Sequence, residues 1–149
     1  MTGKSDFSNE EWTQVLEAPP SAALVVIASD RGGSIRETFS MAKAYAEAHK
    51  KPGQSQLLDE IVSAKPEVDR SRFKTQEELK ERCLENVREA VALLKQKAGA
   101  EEVEAYRQFI VDVVNRVAEA RKEGFMGLSG ERVSGDERAA IEEITAALA

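Results

Sequence analysis

The sequence predicts an all-α fold, a single-domain helical bundle of about six helices over residues 1–149. Three observations carry this. Aromatic residues make up 5% of the chain and prolines number four, against 42% hydrophobic and 32% charged residues, a balance poor in strand formers and ordinary for a globular domain. Ser/Thr-x-x-Glu occurs at Ser8/Glu11, Ser34/Glu37, Thr75/Glu78 and Ser134/Glu137, where the hydroxyl can cap one free backbone N–H and the glutamate can reach back to another. Each pair is followed by apolar residues at spacings of three and four. A chain of this length buries roughly 70% of its unfolded surface, enough for one core without metals or disulfides.

The first helix starts at Ser8 and sets Trp12, Val15 and Leu16 on one face. Pro19 and Pro20 end it and open a second helix, because the missing proline N–H is tolerated in a first turn. That second helix carries "SAALVVIAS", apolar nearly all round, and belongs in the middle of the bundle. The β-branched Val25, Val26 and Ile27 keep a buried strand open as the alternative. Ser34 starts a third helix with Ile35, Phe39, Ala42 and Ala46 on one face, broken at the "KKPGQ" stretch around Pro52. Leu57, Leu58, Ile61 and Val62 mark a short fourth helix before Pro66, followed by a polar loop.

The longest signals follow. From Thr75, a helix over 76–98 carries Leu79, Cys83, Leu84, Val87, Val91 and Leu94 inward, with Gly99 as a left-handed C-terminal cap. A helix over 101–123 repeats the pattern with Val103, Tyr106, Ile110, Val113, Val114 and Val117. The connection between them is short, which makes them antiparallel neighbours. The last helix begins near Gly135 and turns Ile141, Ile144 and Leu148 inward.

Several functional classes are disfavoured. The net charge of −6 argues against nucleic acid as a partner, and the best basic cluster, Arg70, Arg72 and Lys74, is interleaved with Glu67, Asp69, Glu77 and Glu78. One cysteine and one histidine exclude an intramolecular disulfide, Cys/His zinc sites and a di-iron pair of Glu-x-x-His motifs within one chain. Cys83 falls on an apolar helix face and reads as core; His49, at a helix end, reads as a cap facing the negative end of the helix dipole. No catalytic residue and no cofactor are assigned. The start "MTGKSDFSNEEW" lacks a secretory signal, and the longest apolar run, "AALVVIA", is far short of the ~20 residues that span a bilayer. The expected location is the cytoplasm, with no membrane contact.

Two loops are candidate sites. In "RKEGFMGLSGERVSGDER", residues 121 to 138, three glycines precede a helix start, as in a phosphate-binding loop. Glu131, however, stands where a lysine is wanted, and the loop follows a helix instead of a strand. Phe125, Met126 and Leu128, with Val133, read as apolar side chains folded over the bundle end. The competing role is a partner-binding surface of Phe125, Met126 and Leu128, with Arg132 as cationic help. In "SDRGGS", Asp30 with Glu37 could hold a cation, although a helix–helix turn explains the same residues.

The "EEW" start, the apolar helix ending in "ASDRGG" and the late "EGFMGLSGERVS" resemble a group of uncharacterised small bacterial all-helical proteins. More distantly, "ASDRGGSIRE" and "LSGERVSGDERAAIEEI" are similar to the acidic turns of tellurite-resistance TerB-type helical domains. That resemblance implies metal-ion binding or scaffolding, with Asp30, Glu37, Asp136 and Glu137 as the metal-facing set. The expected function is a non-enzymatic interaction or scaffolding protein with a protein partner or a second copy; the alternative is a metal-ion or small-ligand binding domain. If Phe125 plugs the bundle end, Phe125→Ala leaves a cavity and costs roughly 2–5 kcal/mol. A urea midpoint equal to wild type shows the loop to be a surface instead.

Overall fold

In a computed structural model of the chain the described residues are 3–28, 35–50, 56–64, 74–124 and 135–149. They form a 3-10 turn at Lys4–Asp6 and six α-helices, with no strand among them: α1 (Asn9–Ala28), α2 (Ile35–His49), α3 (Gln56–Ser63), α4 (Gln76–Lys97), α5 (Ala100–Gly124) and α6 (Gly135–Leu148). The all-α bundle is therefore observed. The long helices begin and end within a residue or two of the predicted 76–98 and 101–123.

Two of the predicted caps fall within the described residues. The Ser8 hydroxyl accepts from the Glu11 N–H at 3.1 Å, and the Glu11 carboxylate accepts from the Ser8 N–H at 2.9 Å. Thr75 accepts from the Glu78 N–H at 3.0 Å, while the Glu78 carboxylate takes the N–H of Lys74 in place of that of Thr75. Helices α2 and α6 start one residue after Ser34 and Ser134, which lie outside the described residues.

Three expectations are corrected. Gly99 is not a left-handed cap: Ala98 closes α4 in extended backbone, donating to Leu94 O at 2.7 Å, and the Gly99 carbonyl accepts from Val103, starting α5. Over residues 41–49 of α2, Ala44 and Tyr45 are buried with Met41 and Ala48 partly covered, while Ala42 and Ala46 are exposed; the side chains of Ile35 and Phe39 lie outside what the structure describes. A ring the size of Tyr45 gains far more from burial than either alanine, so it decides which stripe turns inward. The third correction is larger. Pro19 and Pro20 do not divide the first helical segment; α1 runs through both.

An interior proline removes one i→i−4 hydrogen bond and presses its ring against the carbonyl of residue i−4, at a cost of roughly 3 kcal/mol or more. Pro19 thus frees the carbonyl of Val15, a residue with no exposed surface. The hydroxyl of Tyr106, itself fully buried, donates to Val15 O at 2.7 Å. A side chain from α5 therefore supplies the donor that proline lacks. Tyr45 also buries its hydroxyl, which has no hydrogen-bond partner among the described residues. Burial pushes both phenols up from their ordinary value, and for Tyr106 the proximity of Tyr45 adds to it.

Helices α1 and α5 share the centre of the bundle. α1 packs most extensively against α4 and also against α5; α2 packs on α5, and α6 covers α4. Contacts between Gln14 and Glu89 and between Glu11 and Lys97 set α4 antiparallel to α1. With Lys97, just before α5, at Glu11 and Tyr106 at Val15, α5 advances along α1 in the same direction, hence antiparallel to α4. The two long helices thus oppose each other, yet each packs more on α1 than on its neighbour.

One cluster ties the N-terminal turn to the end of α4. The Lys97 ammonium lies 5.4 Å from the centroid of the Phe7 ring, which tilts against Trp12, and it donates to Asp6 O and to the Glu11 carboxylate. Lys97, with the Ser8 N–H, holds the Glu11 carboxyl below the usual range.

Two outcomes follow from the tyrosines. Tyr106→Phe orphans a buried carbonyl and should cost about 1–3 kcal/mol in urea titration, whereas Tyr45→Phe removes an unpaired hydroxyl and should cost nothing or stabilise. Pro19→Ala restores an N–H to Val15, so in that background the Tyr106→Phe cost should shrink; an unchanged cost refutes the compensation. As for pH, the unfolded chain releases phenolic protons near pH 10 and the folded chain only above it. The stability held by the buried phenols is therefore complete below about pH 10 and lost as pH rises further. Urea midpoints across that range, with phenolate absorbance, check the sign.

Candidate binding groove

The side chains of the residues singled out in the sequence lie outside what the structure describes. Asp30, Phe125, Met126, Leu128 and Arg132 lie outside the described residues. Glu37, Asp136 and Glu137 fall in the opening turns of α2 and α6, where only the backbone is described. Among the described residues no group of three or more His, Cys, Asp or Glu side chains is placed to hold a metal ion. Cys83 is buried and His49 exposed at the end of α2, and neither lines either of the two depressions described below.

A groove does form where α5 turns its second face toward α2 and α3. One stripe of α5, through Val103, Tyr106, Ile110, Val113 and Val117, is buried. Phe109, three positions beyond Tyr106, lies beside that stripe and meets Tyr45 of α2 edge to face, ring centroids 5.0 Å apart. Ala44 and Ala48 of α2, Leu58 of α3 and Ala105 of α5 complete an apolar floor around Phe109, within a groove of about 790 Å³. The alanines make the space. At these positions the helices pack side by side without large side chains filling the seam.

The rim is polar and mostly acidic: Glu47, Glu101, Glu104 and Asp112, with Gln108, Asn115 and a single cation, Arg116. Arg116 pairs with Glu47 across the α2–α5 seam, and Glu104 pairs with Arg107 along α5. Gln108 donates to Asp112 at 3.0 Å. Glu101 and Asp112 have no ion-pair partner among the described residues. Each exposed pair is worth at most about 1 kcal/mol, so these contacts orient the rim more than they hold the fold.

A second depression, beside the N-terminal turn, is lined by Trp12, Leu16, Asn9, Thr13, Asp59 and Ser63 among others. Its hydroxyls are already committed: Thr13 donates to Asn9 O and Ser63 to Asp59 O, both at 2.8 Å. The α2–α5 groove offers more uncommitted polar groups.

The groove had only a faint signal in the sequence. Phe109 beside Ile110 widens the apolar stripe of α5 past what one partner helix can cover, and that is the visible trace of a second face. Glu101 carries no such trace, because the groove it lines is assembled from three helices. Comparisons with known protein families, curated proteins and solved structures found no match. Among the described residues, no helix is long and apolar enough to cross a membrane.

Proposed function

We propose that the chain is a non-enzymatic interaction domain of the cytoplasm whose protein partner docks along the α2–α5 groove. One observation carries this reading: an apolar floor of small residues and Phe109, framed by carboxylates and amides, follows α5 from Glu101 to Arg116. Apolar centres with polar rims are the anatomy of protein interfaces, where the floor supplies desolvation and the rim supplies register. The two side chains best suited to nucleophilic or proton-transfer chemistry, Cys83 and His49, lie outside the groove lining, which supports binding over catalysis. The lone buried cysteine suits a reducing compartment.

The test is a photo-crosslinking amino acid placed at Ala105, in the groove, or at Glu85, exposed on α4. Partner adducts should form from position 105 and not from 85, in proteins with equal thermal midpoints. Adducts equal at both positions, or absent at 105, overturn the groove as the docking surface.

A further inference from the structure

The groove constrains what can lie in it, through its length, its walls and its charges; the inference rests on the docking reading above. Its lining follows one face of α5 from Glu101 to Arg116. At 1.5 Å per residue this is about 22 Å, or four helical turns. The walls are helices throughout, and away from the first turn of α5 and the last turn of α2 their backbone N–H and C=O groups are spent within α2, α3 and α5. An extended peptide laid there would find no sheet edge to satisfy its own backbone, whereas a helix brings its hydrogen bonds with it. Alanines at 44, 48 and 105 let a helix axis approach closely.

Charge sets the rest. Glu47 is neutralised by Arg116 and Glu104 by Arg107, and the surplus is left at Glu101 and Asp112. These two stand eleven positions apart on α5, three turns, near opposite ends of the groove. We infer that the occupant is an amphipathic helix of another protein, about four turns long, with small apolar residues on its inner face and two Lys or Arg side chains about eleven residues apart. The chain's net charge of −6 favours approach by such a cationic segment.

The experiment selects a displayed library of helix-forming peptides of about eighteen residues on the intact chain. Selected peptides are then measured by fluorescence anisotropy against wild type and a Glu101→Lys, Asp112→Lys variant whose thermal midpoint matches wild type. Selection should enrich paired basic residues ten to twelve positions apart. A selected peptide should bind the variant roughly tenfold more weakly, as expected for two exposed charge pairs. Exchanging its two cations for glutamates should restore binding to the variant. Neutral or acidic peptides that still crosslink at position 105 would sink the basic helix and leave the docking reading standing. Self-association of the chain through the groove has the same consequence, since the occupant is then a second copy. No groove-dependent binder of any kind overturns both.

Discussion

The hydrogen bond from Tyr106 to the carbonyl of Val15 is the contact on which this bundle depends. Without it, Pro19 leaves the carbonyl of a fully buried residue stranded, and the helix has reason to break where the prolines stand. With it, α1 runs from Asn9 to Ala28 as one element, long enough to serve both α4 and α5. The same bond fixes α5 in register and rotation against α1, because a phenol fully enclosed in the core has one place to put its hydroxyl.

That rotation has a consequence on the other side of α5. With Tyr106 turned to α1, Phe109 is carried toward α2, where it meets Tyr45 and becomes the centre of the groove floor. The groove is thus the outer face of a helix whose inner face is set by the proline repair. Its depth comes from what is small: alanines on α2 and α5 keep the seam open, while the Arg116–Glu47 pair bridges it at one end. At the opposite end of α1, Lys97 joins the Phe7 ring, the Asp6 carbonyl and the Glu11 cap, so the start of the chain and the turn between α4 and α5 are fastened together.

Legibility differed sharply between elements. The inward faces of α4 and α5 were readable residue by residue, since Leu79, Cys83, Val87, Val91 and Leu94, and then Val103, Tyr106, Ile110 and Val113, recur at helical spacing and are all buried. In the second half of α2 the expected Ala42 and Ala46 gave way to Ala44 and Tyr45, because a ring gains far more from burial than an alanine. Gly99 shows a related failure: a glycine between two helices fits the end of one or the start of the other, and here it starts α5. The groove was nearly invisible, since its members come from α2, α3 and α5 and only Phe109 stood out of pattern.

By itself the sequence determined the all-α class, the start of α1 and α4 at their hydroxyl caps, and the buried stripes of the long helices. These are local properties: a cap closes over three residues, and a stripe repeats within one helix. Whether Pro19 and Pro20 break the chain, which helices become neighbours, and where a groove opens were decided only by tertiary structure. The reason is physical. A helix rule assigns a proline its cost from the backbone alone, and the donor that offsets it here comes from Tyr106, ninety-one residues beyond the Val15 carbonyl it satisfies.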